Sequence, residues 1–239
     1  MTEPARRAEE EALTGGLTSV GVVRIGDTVH RPAGPRGPFV RAVLRHLEEV
    51  GFGAAPRYLG CDDQGREVLT FLHGDVPHDW EQWRRSPWSD GQLSDAVTLL
   101  RRFHDATSGT GLVGSHEVVC HNDFAPWNTV FVDQTPTAII DFDDASPGSR
   151  IRDLAYASWC WLGLGEPGRS VSEQGRRLRL MCDVCGLGDR STLLNEIAGW
   201  QSKVRAAHLR AGRLSRVDVV DADASWLAVH GPELERALR

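Results

Sequence analysis

At 239 residues, 41% apolar and 25% charged, the chain can build a two-part globular fold, and no stretch reaches the eighteen uninterrupted apolar residues of a membrane span. A net charge of −6 argues against nucleic acid as a partner and suits a cationic ligand. Five cysteines at irregular spacing give no disulfide framework, and the charged N-terminus lacks the apolar core of a signal peptide, so the expected compartment is the cytoplasm.

Residues 1–72 read as a small, β-rich unit. Ala12-Leu13-Thr14 is a short strand candidate, followed by a glycine-bearing turn over Gly15 to Gly21. Glycines let backbone N–H groups approach phosphate oxygens, but this turn matches neither G-x-G-x-x-G nor a Walker loop. Val22 to Ile25, the turn Gly26-Asp27 and Thr28 to Arg31 form a hairpin. A Pro/Gly-rich connection, Pro32 to Pro38, precedes a helical period over Phe39 to Val50 that Gly51 ends. A second hairpin runs from Tyr58 to Leu72 around the turn Asp62 to Gly65, and His73-Gly74 reads as a hinge.

Residues 73–239 read as a larger, mainly helical unit with one β-rich insertion. A helix over Ala96 to Ala106 leads to the apolar strand end Val118-Val119-Cys120 and then to His121-Asn122-Asp123-Phe124-Ala125-Pro126-Trp127-Asn128. Thr129 to Val132 and Thr137 to Ile140 read as strands around a turn at Asp133 to Pro136, delivering Asp141-Phe142-Asp143. A hairpin of this kind brings Asp141 back beside the loop that precedes its first strand. Asp123 then has the spacing of a carboxylate beside an acceptor hydroxyl, while Asn128 and Asp141 can converge on one magnesium ion held against nucleotide phosphates. His121 reads as a brace for the loop, Asp143 as a supplement to the metal site, and Asp153 as a helix cap or a second brace. Helical periodicity resumes over Leu154 to Leu164, Val171 to Cys185, Thr192 to Arg210 and Arg216 to Leu238, and Cys182-x-x-Cys185 reads as buried thiols. Trp127 is the aromatic placed to touch a substrate, and Asp79, Glu81, Glu166, Asp218, Asp221 and Asp223 are acids that could receive an amine.

These motifs resemble the aminoglycoside phosphotransferase family. H-x-D-x-x-x-x-N is matched by His121, Asp123 and Asn128; I-D-[WF]-[DE] by Ile140 to Asp143; and P-G…D-L-A by Pro147-Gly148 and Asp153-Leu154-Ala155. The resemblance is specific from Leu93 to Ala157. It implies an α+β, protein-kinase-like bilobal fold, with a small β-rich N-lobe and a larger mainly helical C-lobe holding ATP or GTP with Mg2+ between them. It further implies transfer of the γ-phosphate to a hydroxyl of a small molecule, with an adenine edge bonded near Phe71, Leu72 and His73 and the Gly15 to Gly21 turn covering the phosphates.

One departure is set by composition. The sole lysine is Lys203, so the lysine that kinases place on the third strand is absent. Arg31 stands at the corresponding place, with Arg24 as competitor, and an arginine can bridge two phosphate oxygens. The glutamate that normally orients the lysine is expected near Val40, where the helix offers acids only at Glu48 and Glu49. That gap keeps a second reading open, a kinase-like nucleotide- or ligand-binding protein with little or no catalysis. A metal hydrolase using His121 and Asp123 is the third, weakened by the lack of a second His/Asp cluster.

Overall fold

The computed structural model describes residues 10–13, 21–77 and 88–239. The expected phosphate-covering turn up to Val20, together with Asp79, Trp80, Glu81 and Trp83, lies outside the described residues.

Five antiparallel strands form one sheet: β1 Glu10–Ala12, β2 Val23–Ile25, β3 Thr28–Arg31, β4 Tyr58–Cys61 and β5 Glu67–Thr70, in the order β1-β2-β3-β5-β4. The β2–β3 turn is closed by Gly26 at φ 59°, as the Gly-Asp pair demands. Pairing of β3 with β5 sets Arg31 directly opposite Glu67. Helix α1, Gly37–Glu49, starts two residues before the expected Phe39, because Pro38 fits the first turn, where no N–H partner is needed. It buries Val40, Val43, Leu44 and Leu47, the i, i+3, i+4, i+7 stripe visible in the sequence.

At the expected hinge two backbones approach closely. Gly74 sits at φ 146°, and a Cβ there would lie 2.5 Å from the Phe131 carbonyl oxygen, so only glycine fits. Asp75 and Phe131 exchange both backbone hydrogen bonds at 2.8 Å, fastening the sheet to the helical part.

Helix α2, Asp90–Thr107, extends the expected helix by two turns at its N-terminus through a capping box between Ser89 and Gln92. Strand β6, Val118–Cys120, pairs with β9, Ser146–Gly148, so Pro147-Gly148 lies in a strand. A Cβ on Gly148 would stand 2.6 Å from Cys120 Sγ, which explains the glycine. Between them β7, Thr129–Val132, and β8, Thr135–Ile139, form a hairpin closed by Asp133 and Gln134 at φ 48° and 63°. Pro136 therefore lies in the strand and not in the turn, tolerated where the register slips opposite Phe131.

The remaining helices are α3 Arg150–Leu162, α4 Val171–Cys185, α5 Leu193–Arg210 and α6 Leu214–Leu238. Helix α3 is buried on nearly every side, which is why its sequence is apolar all round from Leu154 to Leu162. Phe103, Phe124, Phe142 and Trp161 fill the core beneath the β6–β9 segment, each contributing roughly 1.5–3 kcal/mol by burial. Cys182 and Cys185 are buried beside them, and burial pushes their thiols up to about 12 and about 11, so the C-x-x-C pair is inert packing. Among the described residues no helix is long and apolar enough to cross a membrane.

Candidate active site

The loop after β6 is shaped by one buried carboxylate. Asp153, in the first turn of α3 and fully buried, accepts the backbone N–H of His121 at 2.7 Å and of Asn122 at 2.8 Å, and the His104 ring N–H at 2.9 Å. Burial alone would raise its carboxyl, but these donors and the two imidazoles outweigh it and hold the group below its usual range. Asp153 is thus the brace and not the helix cap, a position that Ser149 occupies. Asn122 takes the left-handed conformation, φ 64°, and its amide donates to the Asp144 carbonyl at 2.9 Å and to Ser146 Oγ at 2.8 Å. His121 donates from Nε2 to the Ile140 carbonyl at 3.1 Å and packs edge-on against Phe142. Burial pushes its ring toward the neutral form, in keeping with a brace.

Asp123 emerges from this frame with both oxygens engaged. Oδ2 accepts from Asn128 Nδ2 at 2.7 Å, the same amide reaches the Asp123 carbonyl at 2.9 Å, and Oδ1 takes a short hydrogen bond from the Tyr156 hydroxyl. Burial raises the Asp123 carboxyl to about 7, although the Tyr156 and Asn128 donors pull the other way. Asn128 closes the 3-10 turn Pro126–Asn128, and its backbone carbonyl accepts from Ile140 N–H at 3.0 Å. That bond seats Asn128 next to Asp141, which the left-handed φ of 63° turns outward with its side chain 45% exposed. Partial burial, then the Asp143 charge, raise the Asp141 carboxyl, while His121 and Arg31 oppose the shift.

Arg31 reaches the same acids from the sheet. Its guanidinium lies 2.7 Å from Asp143 Oδ1 and 3.8 Å from Asp141 Oδ1, and its Nε is 3.5 Å from Glu67 Oε2. Glu67 is 1% exposed and also accepts from Arg41 of α1 at 2.9 Å. The orienting glutamate is therefore on β5 and not on the helix. The helix contributes an arginine in its place, and Glu48 is spent on Arg57 at 3.6 Å. Arg24 lies elsewhere, with its guanidinium 3.9 Å from the Phe71 ring centre. At the expected hinge, the Phe71 N–H is taken by the Asp27 carbonyl at 2.8 Å, whereas the Leu72 and His73 N–H groups have no backbone partner among the described residues.

Among the described residues no three His, Cys, Asp or Glu side chains converge as a metal cage. The donor set instead suits a hard cation delivered with phosphates. With its amide nitrogen committed to Asp123, Asn128 has only its side-chain carbonyl oxygen to offer, beside the Asp141 carboxylate, and two protein oxygens are what magnesium takes when phosphates and water complete its shell. Tyr156, Glu67, Arg41 and Asn122 were not singled out by the sequence. Tyr156 carried one signal, since at i+3 from Asp153 it shares a helix face with the brace.

A model of the phosphotransferase enzyme family matches residues 83–180. The chain is 31% identical to the trifolitoxin immunity protein of Rhizobium leguminosarum bv. trifolii, an alignment covering 96% of this chain and 99% of that one. The chain belongs to the phosphotransferase enzyme family. Solved structures agree in fold. This family member matches aminoglycoside 2'-phosphotransferase-IIIa in its GDP complex at TM-score 0.55 and 16% identity, over 98% of this chain and 94% of the other. It also matches a choline/ethanolamine kinase family protein from Mesorhizobium loti at TM-score 0.52 and 18% identity, over 98% and 92%. The expected α+β, kinase-like architecture is borne out, and the enzyme class is that of a phosphotransferase with an alcohol group as acceptor.

Proposed function

We propose that this phosphotransferase moves the γ-phosphoryl group of ATP or GTP to a hydroxyl of a small, toxin-like molecule in the cytoplasm. The observation that carries the reading is the Asp123 carboxylate, held between Tyr156 and Asn128 and raised to about 7. A base with that pKa is matched to receiving a hydroxyl proton near neutral pH. The acceptor oxygen attacks the γ-phosphorus, the bond to the β-bridging oxygen breaks, the proton passes to Asp123, and the nucleoside diphosphate leaves.

The nucleotide lies between residues 1–72 and 73–239, its base edge against the Leu72 and His73 backbone and its phosphates steadied by Arg31. Asn128 and Asp141 would hold magnesium, which would supply charge neutralisation on the phosphates. The immunity name of the 31% identical relative supports a toxic acceptor, and the solved neighbours include complexes with kanamycin and gentamicin.

The test supplies purified protein with magnesium and either ATP or GTP, then a panel of hydroxylated antibiotics, amino sugars and metabolite alcohols. Nucleotide consumption tied to an acceptor gaining one phosphoryl group by mass spectrometry supports the assignment. Turnover by Asp123→Ala near the parent rate on an accepted compound would remove it.

A further inference from the structure

Three cations gather around Asp144, Asn122 and Trp200, and none has a carboxylate partner among the described residues. Arg36, at the start of α1, donates to the Asp144 carbonyl at 2.9 Å, the same oxygen that Asn122 uses. Arg152, on α3, reaches Asn122 Oδ1 with its Nε at 3.4 Å, and its guanidinium covers the Trp200 ring at 4.7 Å. Lys203, on α5, places its ammonium 4.1 Å from the centre of that ring. Trp200 packs on Tyr156 with ring centres 5.1 Å apart, and Tyr156 bonds Asp123. A continuous path therefore runs from the carboxylate through Tyr156 and Trp200 to the two outer cations.

Many of the other arginines are neutralised. Arg31, Arg41, Arg66, Arg150, Arg176, Arg177, Arg190 and Arg205 all pair with carboxylates. Like charges left together repel one another unless an anion lies among them. Burial lowers the Lys203 ammonium pKa, and Arg152 and Arg36 lower it further, against opposing pulls from Asp144 and Asp123. Of these two acids, Asp123 is held by Tyr156 and Asn128, and Asp144 makes no ion pair among the described residues. Two of the acids expected to receive an amine are committed elsewhere. Asp221 is bound to Arg205, and Asp223 is buried against Gly165 and accepts from Trp159 Nε1 at 2.8 Å.

The cluster is not the nucleotide clamp. That role falls on a different set of side chains: Asn128 holds the Asp123 oxygen that Tyr156 does not, and Arg31 meets Asp141 and Asp143. From this separation we infer that the acceptor carries an oxyanion, a carboxylate or phosphate group, beside the hydroxyl that receives the phosphoryl group, and that Arg36, Arg152 and Lys203 hold that anion. The inference rests on the phosphotransfer reading for the identity of the acceptor hydroxyl but not for the anion site. It sets this acceptor apart from polycationic sugars.

The experiment uses the full chain saturated with magnesium and AMP-PNP and measures binding by calorimetry for two matched pairs, with kanamycin as a cationic reference. N-acetylserine is compared with N-acetylserinamide, and glycerol 3-phosphate with glycerol. At least one anionic member is expected to bind fivefold or more tighter than its neutral partner, and which one names the oxyanion. The variant Arg152→Gln/Lys203→Gln should erase that preference while leaving AMP-PNP affinity within twofold. Lys203→Glu, at an exposed site, should weaken the anionic member alone and guards against a folding defect in the double variant. No preference in either pair, including no binding at all, overturns the inference. So does a preference that survives the variants, tighter binding of kanamycin, or an equal loss of AMP-PNP affinity. A retained anion preference without turnover of any acceptor would instead count against the phosphotransfer reading and leave the anion site standing.

Discussion

The hydroxyl of Tyr156 donates to Oδ1 of Asp123, while the opposite oxygen of the same carboxylate is held by Asn128 at 2.7 Å. Asp123 is thereby fixed in orientation, yet burial still lifts it to about 7. An ionisable group kept at such a value by its surroundings is a liability for stability and an asset for proton transfer, and its removal should separate the two.

Asp123→Asn is expected to fold and to lose phosphotransfer by roughly 10² to 10⁴-fold. It should also be more heat-resistant than the parent at pH 8. The folded pKa, about 7, exceeds the unfolded value near 3.8, so the parent's favourable contribution is present at low pH and lost as pH rises through 7. Melting temperatures of the pair between pH 4 and 8 check this, with the variant's advantage shrinking as the pH falls. An advantage that is flat with pH would show that Asp123 is not raised.

Tyr156→Phe removes a donor that lowers the Asp123 pKa. A hydrogen bond to a charged acceptor contributes about 1.5–3 kcal/mol, so the acidic limb of the kcat/KM profile should move upward from about 7 by about one pH unit or more. The rate above that limb should fall less than for Asp123→Asn. An unmoved limb would mean that Tyr156 is only packing.

Arg31 and Arg41 share Glu67 and should nonetheless fail differently. Arg31→Gln is expected to weaken nucleotide binding about tenfold or more, because its guanidinium faces the phosphate side at Asp141 and Asp143. Arg41→Gln should leave nucleotide affinity within about threefold and lower the melting temperature, since it strips a partner from a carboxylate that is 1% exposed. Calorimetry with magnesium and AMP-PNP, beside thermal melts, decides between clamp and brace.

Asp153→Asn leaves three donors around a group with one acceptor oxygen, and the loss should be about 3–5 kcal/mol at pH 7. The folded Asp153 pKa lies below the unfolded one, so its contribution is complete above about pH 4 and disappears as pH falls through the folded value. Denaturant melts should therefore show the gap between parent and variant closing in acid.

The half of the candidate site that lies within 19 consecutive residues, Asp123 to Asp141, was legible in the sequence. Asp123, Asn128 and Asp141 sit at the ends of strands whose hydrophobic pattern is local, and a hairpin can return Asp141 to Asn128 in only one way. The α1 stripe and the hinge glycine were legible for the same reason, since each depends on neighbours in the chain. The tertiary structure decided what long-range pairing controls. Glu67 became the partner of Arg31 through the register of β3 on β5, which no spacing announces. Tyr156 became the donor to Asp123 because α3 packs under the loop that Asp153 braces. Charge followed the same rule. The net −6 of the whole chain suited a cationic ligand, but the local field is made by whichever side chains the fold brings together: Asp141 and Asp144 beside Asp123, and Arg36, Arg152 and Lys203 around Asp144, Asn122 and Trp200.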